Sequence, residues 1–345
     1  MSRIEIPLIL LLLVAGCGGG AESPAGESPE VADASVAAES TLPSGLEYPN
    51  WQTVAPGENA LYNQRANLVQ RGHLVYQKYC VGCHGETGAG DGPAAVRLIT
   101  KPRDFTSGIY KFRSTGSGSL PLEADLDRTI TRGLARVSMP GFPLMPEAEK
   151  LAVIEYIKTF YPAWEAEKDR RLIVPVPRPP EDLASEERLW RGRMVYLQMG
   201  CGKCHGVDGR GTGATQTEYV DAWGQPQKPF DFTRGSLKGG NSAEDIYRTF
   251  HTGLRSIMPS FGGETLAAVT AEGYAAIVDS LADQEAARLA AVAADFPADG
   301  AAVFSQMSEG ERLALAERNS WDLVAYILSL RRPTTTATAV LGDAG

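Results

Sequence analysis

The sequence is short of positive charge, of cysteine and histidine, and of long apolar stretches. Its 33 Lys and Arg residues are outnumbered by 42 Asp and Glu residues, which gives a formal net charge of −9 at pH 7. This acidic balance argues against nucleic acid as a partner, because phosphates attract basic surfaces. Beyond residue 14, no stretch is long and apolar enough for a transmembrane helix. Cysteine and histidine number only five and four.

The N-terminus has the pattern of an export signal. Arg3 precedes an apolar run over residues 6–14, which is too short to span a bilayer stably and is typical of a signal peptide. The run ends in Val-Ala-Gly-Cys, which resembles the lipobox of bacterial lipoproteins. The resemblance implies a signal peptide over residues 1–16, lipidation of Cys17, and a place at the extracytoplasmic, periplasmic face of a bacterial membrane. If the source is Gram-negative, the same resemblance implies the outer membrane, because Gly18 and not aspartate follows the cysteine. A plain secretory signal is the alternative.

Composition predicts how the rest of the chain is divided. Residues 17–45 are almost all small or polar and cannot bury enough apolar surface to offset the entropy of ordering, so we expect a flexible tether. Residues 333–345 read as a disordered tail. The roughly 285 residues between them suit two domains. Because proline density favours an extended connection, we predict a first domain over 46–165, a linker over 166–185 and a second domain over 186–332.

Four of the five cysteines lie in two copies of one short motif. Residues 80–84 read Cys-Val-Gly-Cys-His, and residues 201–205 read Cys-Gly-Lys-Cys-His. Cys-x-x-Cys-His is the attachment pattern of c-type haem, in which each cysteine forms a thioether and the histidine reaches the iron. Disulfides and structural zinc are weaker alternatives, since each motif offers only three of four zinc ligands. The motifs predict two covalently bound haems, held by Cys80, Cys83, Cys201 and Cys204, with iron ligands His84 and His205.

The two motifs belong to a longer internal repeat. Arg-Gly-x-x-Val-Tyr precedes them at residues 71–76 and 191–196, in helix-compatible runs that place Gly and Tyr on one face. Lys-Pro-x-Asp-Phe-Thr follows them at residues 101–106 and 228–233. A Met-Pro dipeptide comes later in each copy. The repeat therefore predicts two similar helical units, each around one haem.

Each copy closes on a helix with apolar periodicity. We predict these helices at about residues 146–160 and 321–330. The second copy also carries an Ala-rich, helix-favouring insertion at about residues 264–304, which the first copy lacks. Packing on the second domain is the expected role of this insertion, and contact with a partner is the alternative.

This arrangement resembles the class I cytochrome c fold, twice, over about residues 65–161 and 186–331. The resemblance implies a mainly helical protein with two tandem domains, each around one covalently bound haem. In that family an N-terminal helix crosses a C-terminal helix through a glycine and an aromatic residue. The expected meeting points are Gly72 and Tyr76 with the helix around Tyr156, and Gly192 and Tyr196 with the helix around Tyr326.

The ligand on the other side of each iron decides what the haem does. A thioether sulfur gives a high-potential electron carrier, histidine lowers the potential, and an open site binds ligands. Met139 and Met258 are predicted here, because both precede proline at the same place in the repeat, as in class I cytochromes c. Met145 competes in the first copy, and His251 is the rival ligand at the second haem. Structural roles are expected for His73, Met194, Met199 and Met307.

A backbone carbonyl is expected to orient each histidine. In many small cytochromes c a proline carbonyl about nine residues after the histidine accepts its ring N–H. By that resemblance Pro93 serves His84, whereas the second copy has Ala214, so the two haems are expected to differ in potential. A basic loop faces either haem propionates or solvent; its residues are Arg103, Tyr110, Lys111 and Arg113.

Together these patterns predict a dihaem electron-transfer lipoprotein rather than an enzyme. Its partners would be redox proteins, or a respiratory or periplasmic oxidoreductase complex in which it is a subunit. One alternative is a dihaem enzyme, such as a peroxidase or a sulfur-compound oxidoreductase, against which the two matched Met-Pro loops argue. Another alternative is a haem-based redox or ligand sensor, although no output domain is recognisable.

Overall fold

All regular secondary structure is helical in the residues that the computed structural model describes, which are 60–213, 219–255, 258–278, 281–298 and 300–331. Extended pairing in these ranges is limited to isolated bridges, which confirms the expected fold class. No helix in this part of the chain is long and apolar enough to cross a membrane. Five predictions lie outside the described residues: the signal peptide, Cys17, the tether, Ala214 and the C-terminal tail.

The first haem motif lies among five helices. The motif itself forms a single helical turn directly after a long helix, so Cys80 is the residue between them. Short 3-10 turns occur at Ala95–Arg97 and Lys168–Arg170. The helices are α1 (Ala60–Tyr79), α2 (Val81–His84), α3 (Glu123–Arg132), α4 (Glu147–Thr159) and α5 (Trp164–Glu167).

The second haem motif lies among seven helices and a 3-10 turn at Thr265–Ala268. The last helix begins twelve residues before the predicted start, because Ser308 caps it. The Ser308 hydroxyl accepts a hydrogen bond from the Glu311 backbone N–H, and the Glu311 carboxylate accepts one from the Ser308 backbone N–H, a capping box. The helices are α6 (Glu186–Gln198), α7 (Cys201–His205), α8 (Ala243–Thr252), α9 (Ala271–Ala275), α10 (Asp283–Ala293), α11 (Gly300–Gln306) and α12 (Glu309–Leu330).

A glycine brings α1 and α4 into close contact. A Cβ at Gly72 would overlap the backbone carbonyl of Ala152, so only glycine permits this approach. One turn further, the rings of Tyr76 and Tyr156 meet edge to face with centroids 5.2 Å apart. This crossing is the one expected from the resemblance.

The same contact recurs between α6 and α12. A Cβ at Gly192 would overlap the backbone carbonyl of Asp322. The rings of Tyr196 and Tyr326 have centroids 5.1 Å apart. Two helix crossings with equivalent residues therefore confirm that the repeat is structural.

The Ala-rich insertion packs on the second domain, as expected. Leu289 of α10 is completely buried, and Arg193 of α6 lies 2.6 Å from the Glu285 carboxylate of α10. The Asn319 side chain of α12 donates a hydrogen bond to the Leu266 carbonyl at 2.7 Å. The insertion thus covers α6 and α12 on the second domain itself.

The predicted linker lies along the first domain. The Gly116 N–H donates to the Leu172 carbonyl at 2.9 Å, and the Val174 N–H donates to the Ser114 carbonyl at 2.8 Å. These backbone hydrogen bonds hold the start of the proline-rich segment, so its path is fixed where it leaves the first domain.

Candidate cofactor sites

Both motif histidines line one continuous cavity of about 1500 Å³. Single-ligand pockets commonly measure about 300–1,000 Å³, so this volume suits more than one large group. Its walls come from both domains, and the six motif residues contribute to it: Cys80, Cys83, His84, Cys201, Cys204 and His205.

A backbone carbonyl orients each motif histidine. The Nδ1 atom of His84 lies 3.0 Å from the Arg103 carbonyl oxygen, and the Nδ1 atom of His205 lies 3.0 Å from the Phe230 carbonyl oxygen. A carbonyl can only accept, so Nδ1 carries the proton and Nε2 is left as the metal-binding nitrogen. Both histidines therefore present the nitrogen that an iron ligand requires.

The expected role of Pro93 is wrong in this structure. The carbonyl that accepts from His84 belongs to Arg103, nineteen residues after the histidine. Pro93 directly follows Gly92, whose N–H is bonded to the Cys83 carbonyl. The His84 ring instead donates its hydrogen bond to the irregular segment that contains Arg103 and Phe105, because this segment lies against the imidazole ring.

An aromatic ring supports each histidine from one side. The His84 ring stacks on Phe105 with centroids 4.5 Å apart, and the His205 ring stacks on Phe232 at 4.4 Å. The hydrogen bond to the carbonyl raises the pKa of each histidine, but burial lowers it more, so the net pKa of both is lowered. Both rings are thus held neutral, the form that binds metal.

No disulfide joins the motif cysteines among the described residues. Burial raises the pKa of Cys80 and of Cys201 to about 12. No group of three or more metal-ligating side chains that could hold a zinc ion occurs in the described part of the chain. The tyrosines of the repeat fix the motif turns, since Tyr76 donates to the Gly85 carbonyl at 2.8 Å and Tyr196 to the Gly206 carbonyl at 2.6 Å.

The two Met-Pro loops have matching backbones. The Leu134 N–H donates to the Met139 carbonyl at 3.1 Å, and the Leu254 N–H donates to the Met258 carbonyl at 3.2 Å. Each loop also contains an arginine with positive φ, 61° at Arg136 and 45° at Arg255. Both methionines line the cavity, as does the competitor Met145.

His251 lies outside the cavity lining. Its Nε2 atom is 2.9 Å from the Ser320 hydroxyl on α12, and its ring stacks on Tyr247 with centroids 4.0 Å apart. His73 has a similarly structural place, with its ring 5.2 Å from that of Tyr156. Both histidines thus contact neighbouring side chains, and which residue lies opposite His205 stays a prediction.

A buried hydroxyl in the cavity wall fits the carboxylates of a haem. Tyr110 is 6% exposed and lines the cavity, and its hydroxyl has no hydrogen-bond partner among the described residues. Burial raises its pKa, so it remains a donor. Arg103 and Lys111 line the same wall. These side chains could donate hydrogen bonds to the propionates of a covalently attached haem.

Arg113, another residue of the expected basic loop, joins the two domains. Its guanidinium is 1% exposed and donates to the carbonyls of Thr252 at 2.7 Å and Gly253 at 3.3 Å. It does not line the large cavity. Arg113 therefore holds the end of α8, which leads into the Met258 loop.

Two family models match the chain in tandem. Residues 67–157 match the model described as cytochrome c oxidase, cbb3-type, subunit III. Residues 190–331 match the model described as cytochrome c. No curated protein matches the chain.

The chain is also similar to a solved structure from Kuenenia stuttgartiensis. That structure is titled as a reducing HAO-like protein complex. The similarity has 34% sequence identity and a TM-score of 0.57, and it covers 76% of this chain and 96% of the other.

Proposed function

The chain belongs to the c-type cytochromes, with two cytochrome c domains in tandem that imply two covalently bound haems and electron transfer, and from this premise we propose that it is a membrane-tethered, extracytoplasmic electron carrier. It accepts single electrons from one redox protein and gives them to another. No substrate bond is made or broken.

The proposed roles of the site residues follow from their geometry. Cys80 and Cys83 hold the first haem and Cys201 and Cys204 the second, through thioethers. When bound, each haem supplies a one-electron iron couple. The chain would supply the two side-chain ligands that complete the coordination of each iron, so no position would stay open for a substrate. The proposed axial pairs are His84 with Met139 and His205 with Met258.

The shared cavity is the observation that carries this proposal. Both motif histidines and both Met-Pro loops line it, so the two haems would lie in one largely apolar cavity rather than in separate pockets. In this proposal the electron passes directly from one haem to the other within that cavity. This arrangement suits a relay that takes an electron at one haem and releases it at the other.

We further propose that the partner is a larger oxidoreductase. The support is the similarity to a chain of a complex that is titled as HAO-like. Mixing the reduced protein with a candidate oxidoreductase and following reoxidation in a stopped-flow spectrometer would test this, with a single-haem cytochrome c as control.

The membrane tether rests on the lipobox alone. Cys17→Ser should move the protein from the membrane fraction to the soluble fraction, and mass spectrometry of the wild type should show a lipidated cysteine at the mature N-terminus. A wild-type protein that is soluble and unlipidated would contradict the proposal.

The ferric absorption spectrum with a reductive titration tests the electron-carrier role. We expect the weak red band of methionine-ligated haem and two midpoints on the positive side. Met139→Ala and Met258→Ala should each abolish this band at one haem only, with Met145→Ala as the matched control. A high-spin component in the wild type, or rapid turnover of peroxide, would favour an enzyme instead.

A further inference from the structure

Arg103 contacts both domains, one through its backbone and the other through its side chain. Its backbone carbonyl accepts the hydrogen bond from His84 in the first domain. Its guanidinium lies over the ring of Trp223 in the second domain, 3.6 Å from the ring centroid, which is a close cation–π contact. The residue that orients the first proximal histidine is therefore anchored by the other domain.

The backbone around Arg103 gives it little other support. Residues 101–104 form no regular secondary structure, and the nearest backbone hydrogen bond runs from the Phe105 N–H to the Gly88 carbonyl at 2.8 Å. The second domain has the equivalent bond, from the Phe232 N–H to the Gly209 carbonyl at 2.7 Å. This backbone support is common to both domains. The two domains therefore differ in the side chain of the residue whose carbonyl accepts from the histidine, which is Arg103 in the first and Phe230 in the second.

Trp223 is itself firmly held at the domain interface. Its backbone N–H donates to the Asp221 carboxylate at 3.0 Å, and its indole N–H donates to the Ser107 hydroxyl of the first domain at 3.3 Å. Asp221 forms an ion pair with Lys111 of the first domain at 2.9 Å. The indole face is thus fixed against the segment that carries Arg103.

We propose that Trp223 is a positioning residue for the first haem, because its stacking on Arg103 fixes the carbonyl that orients His84. The second domain thereby fixes the orientation of His84, the motif histidine of the first haem. The inference rests on the proposed haem attachment at the first motif and does not depend on which side chain lies opposite His84.

The ring N–H proton of His84 reports on this contact directly. We expect Trp223→Ala to speed its exchange with deuterium about tenfold in the haem-loaded protein, as for the loss of one ordinary hydrogen bond, measured by proton NMR. The first midpoint potential should shift as well. Exchange at His205 and the second midpoint should remain unchanged.

Two variants distinguish a specific effect on the orientation of His84 from a general weakening of the contact between the domains. Trp223→Phe keeps an aromatic face under Arg103 and should restore slow exchange. Arg132→Gln removes the interdomain ion pair with Asp245, at 3.0 Å, which touches neither proximal carbonyl, and should leave both histidines unchanged.

A double-mutant cycle tests whether Trp223 acts through Arg103. Arg103→Gln keeps the carbonyl and removes the guanidinium, so it should reproduce the faster exchange at His84 expected for Trp223→Ala. The cycle is read from exchange alone, because Arg103 also lies in the wall assigned to the propionates and its loss would shift the potential by itself. The double variant should show no further change. Additive effects would mean that Trp223 acts on the haem itself and would overturn the proposal.

Slow exchange at His84 in Trp223→Ala, or equal acceleration at both histidines, would also overturn it. If Trp223→Ala does not fold, Trp223→Leu, which fills space without an aromatic face, carries the same expectation. A high-spin wild-type spectrum would count against the proposed electron carrier, but exchange at His84 could still be measured.

Discussion

The crossing of α1 and α4 and the crossing of α6 and α12 differ at one facing position. Ala152 lies against Gly72 in the first, whereas Asp322 lies against Gly192 in the second. Asp322 is fully buried and forms ion pairs with Arg188 at 2.7 Å and Arg191 at 2.8 Å. The same backbone contact is thus made once with an apolar side chain and once with a buried carboxylate.

This difference shows that the helix crossing and the polar network are separable. Arg71, the repeat counterpart of Arg191, is exposed. A buried ion pair often adds little net stability over an apolar pair, but its disruption leaves a charge without compensation. The second crossing is therefore the more vulnerable of the two to a single change.

Asp322→Ala, which copies the alanine of the first crossing, should have the largest effect. Arg188 and Arg191 would lose their buried partner, and we expect a loss of about 3–5 kcal/mol in the free energy of unfolding. Urea denaturation of the haem-loaded protein measures it. Glu187→Ala removes an exposed partner of Arg191 and should cost less than about 1 kcal/mol. Similar costs for the two variants would contradict the comparison.

Gly72→Ala and Gly192→Ala test what the crossings share. Each Cβ would overlap a backbone carbonyl of the facing helix, so each should cost about 3 kcal/mol, the upper part of the range for overpacking. Thermal unfolding gives the values. Gly310→Ala in the first turn of α12 meets nothing within 4 Å and should be neutral or stabilising. If only one of these two glycine variants lost stability, the two crossings would not be structurally equivalent.

Acid should weaken the second domain through His251. Burial lowers its pKa from 6.5 to about 4, so the native state binds fewer protons than the unfolded chain between these values. This contribution is fully present above pH 6.5 and falls by up to about 3 kcal/mol as the pH approaches 4. His251→Gln can still bond Ser320 but cannot be protonated, so its urea midpoint should change less with pH. An unchanged slope would rule out His251 as the cause.

The smallest effect is expected from Arg132→Gln. Arg132 is 57% exposed at its side chain, although its partner Asp245 is buried. Exposed ion pairs contribute at most about 1 kcal/mol, so the melting temperature should fall only slightly and less at high salt. A large, salt-independent fall would show that this pair, like that of Asp322, is structural.

The repeat allowed much of the haem environment to be predicted from sequence. Residues 71–76 and 191–196 indicated both helix crossings, and the two motifs indicated the histidines that line the cavity, although not that the cavity is shared. The start of α12 was also encoded, because Ser308 and Glu311 have capping-box spacing. The prediction missed it, since the apolar periodicity is clear only from Trp321 onward.

Other parts could not be predicted from the sequence. The acceptor for His84 is a main-chain carbonyl of an irregular segment. A carbonyl has no residue signature, so the family resemblance implied Pro93 in place of Arg103. Phe105 and Phe232 are identical in the two copies, which could have marked them as ring supports. Trp223 belongs to a segment with no counterpart in the first copy, and its role depends on how the domains dock.

Arg113 has a consequence for kinetics. Domains joined by a linker commonly move relative to each other, and such motion can limit a rate. Here a guanidinium that is 1% exposed bonds two carbonyls of the opposite domain, and separation would leave it without these acceptors. Electron exchange between the two haem sites is therefore expected to be ungated, with a rate that does not change with solvent viscosity.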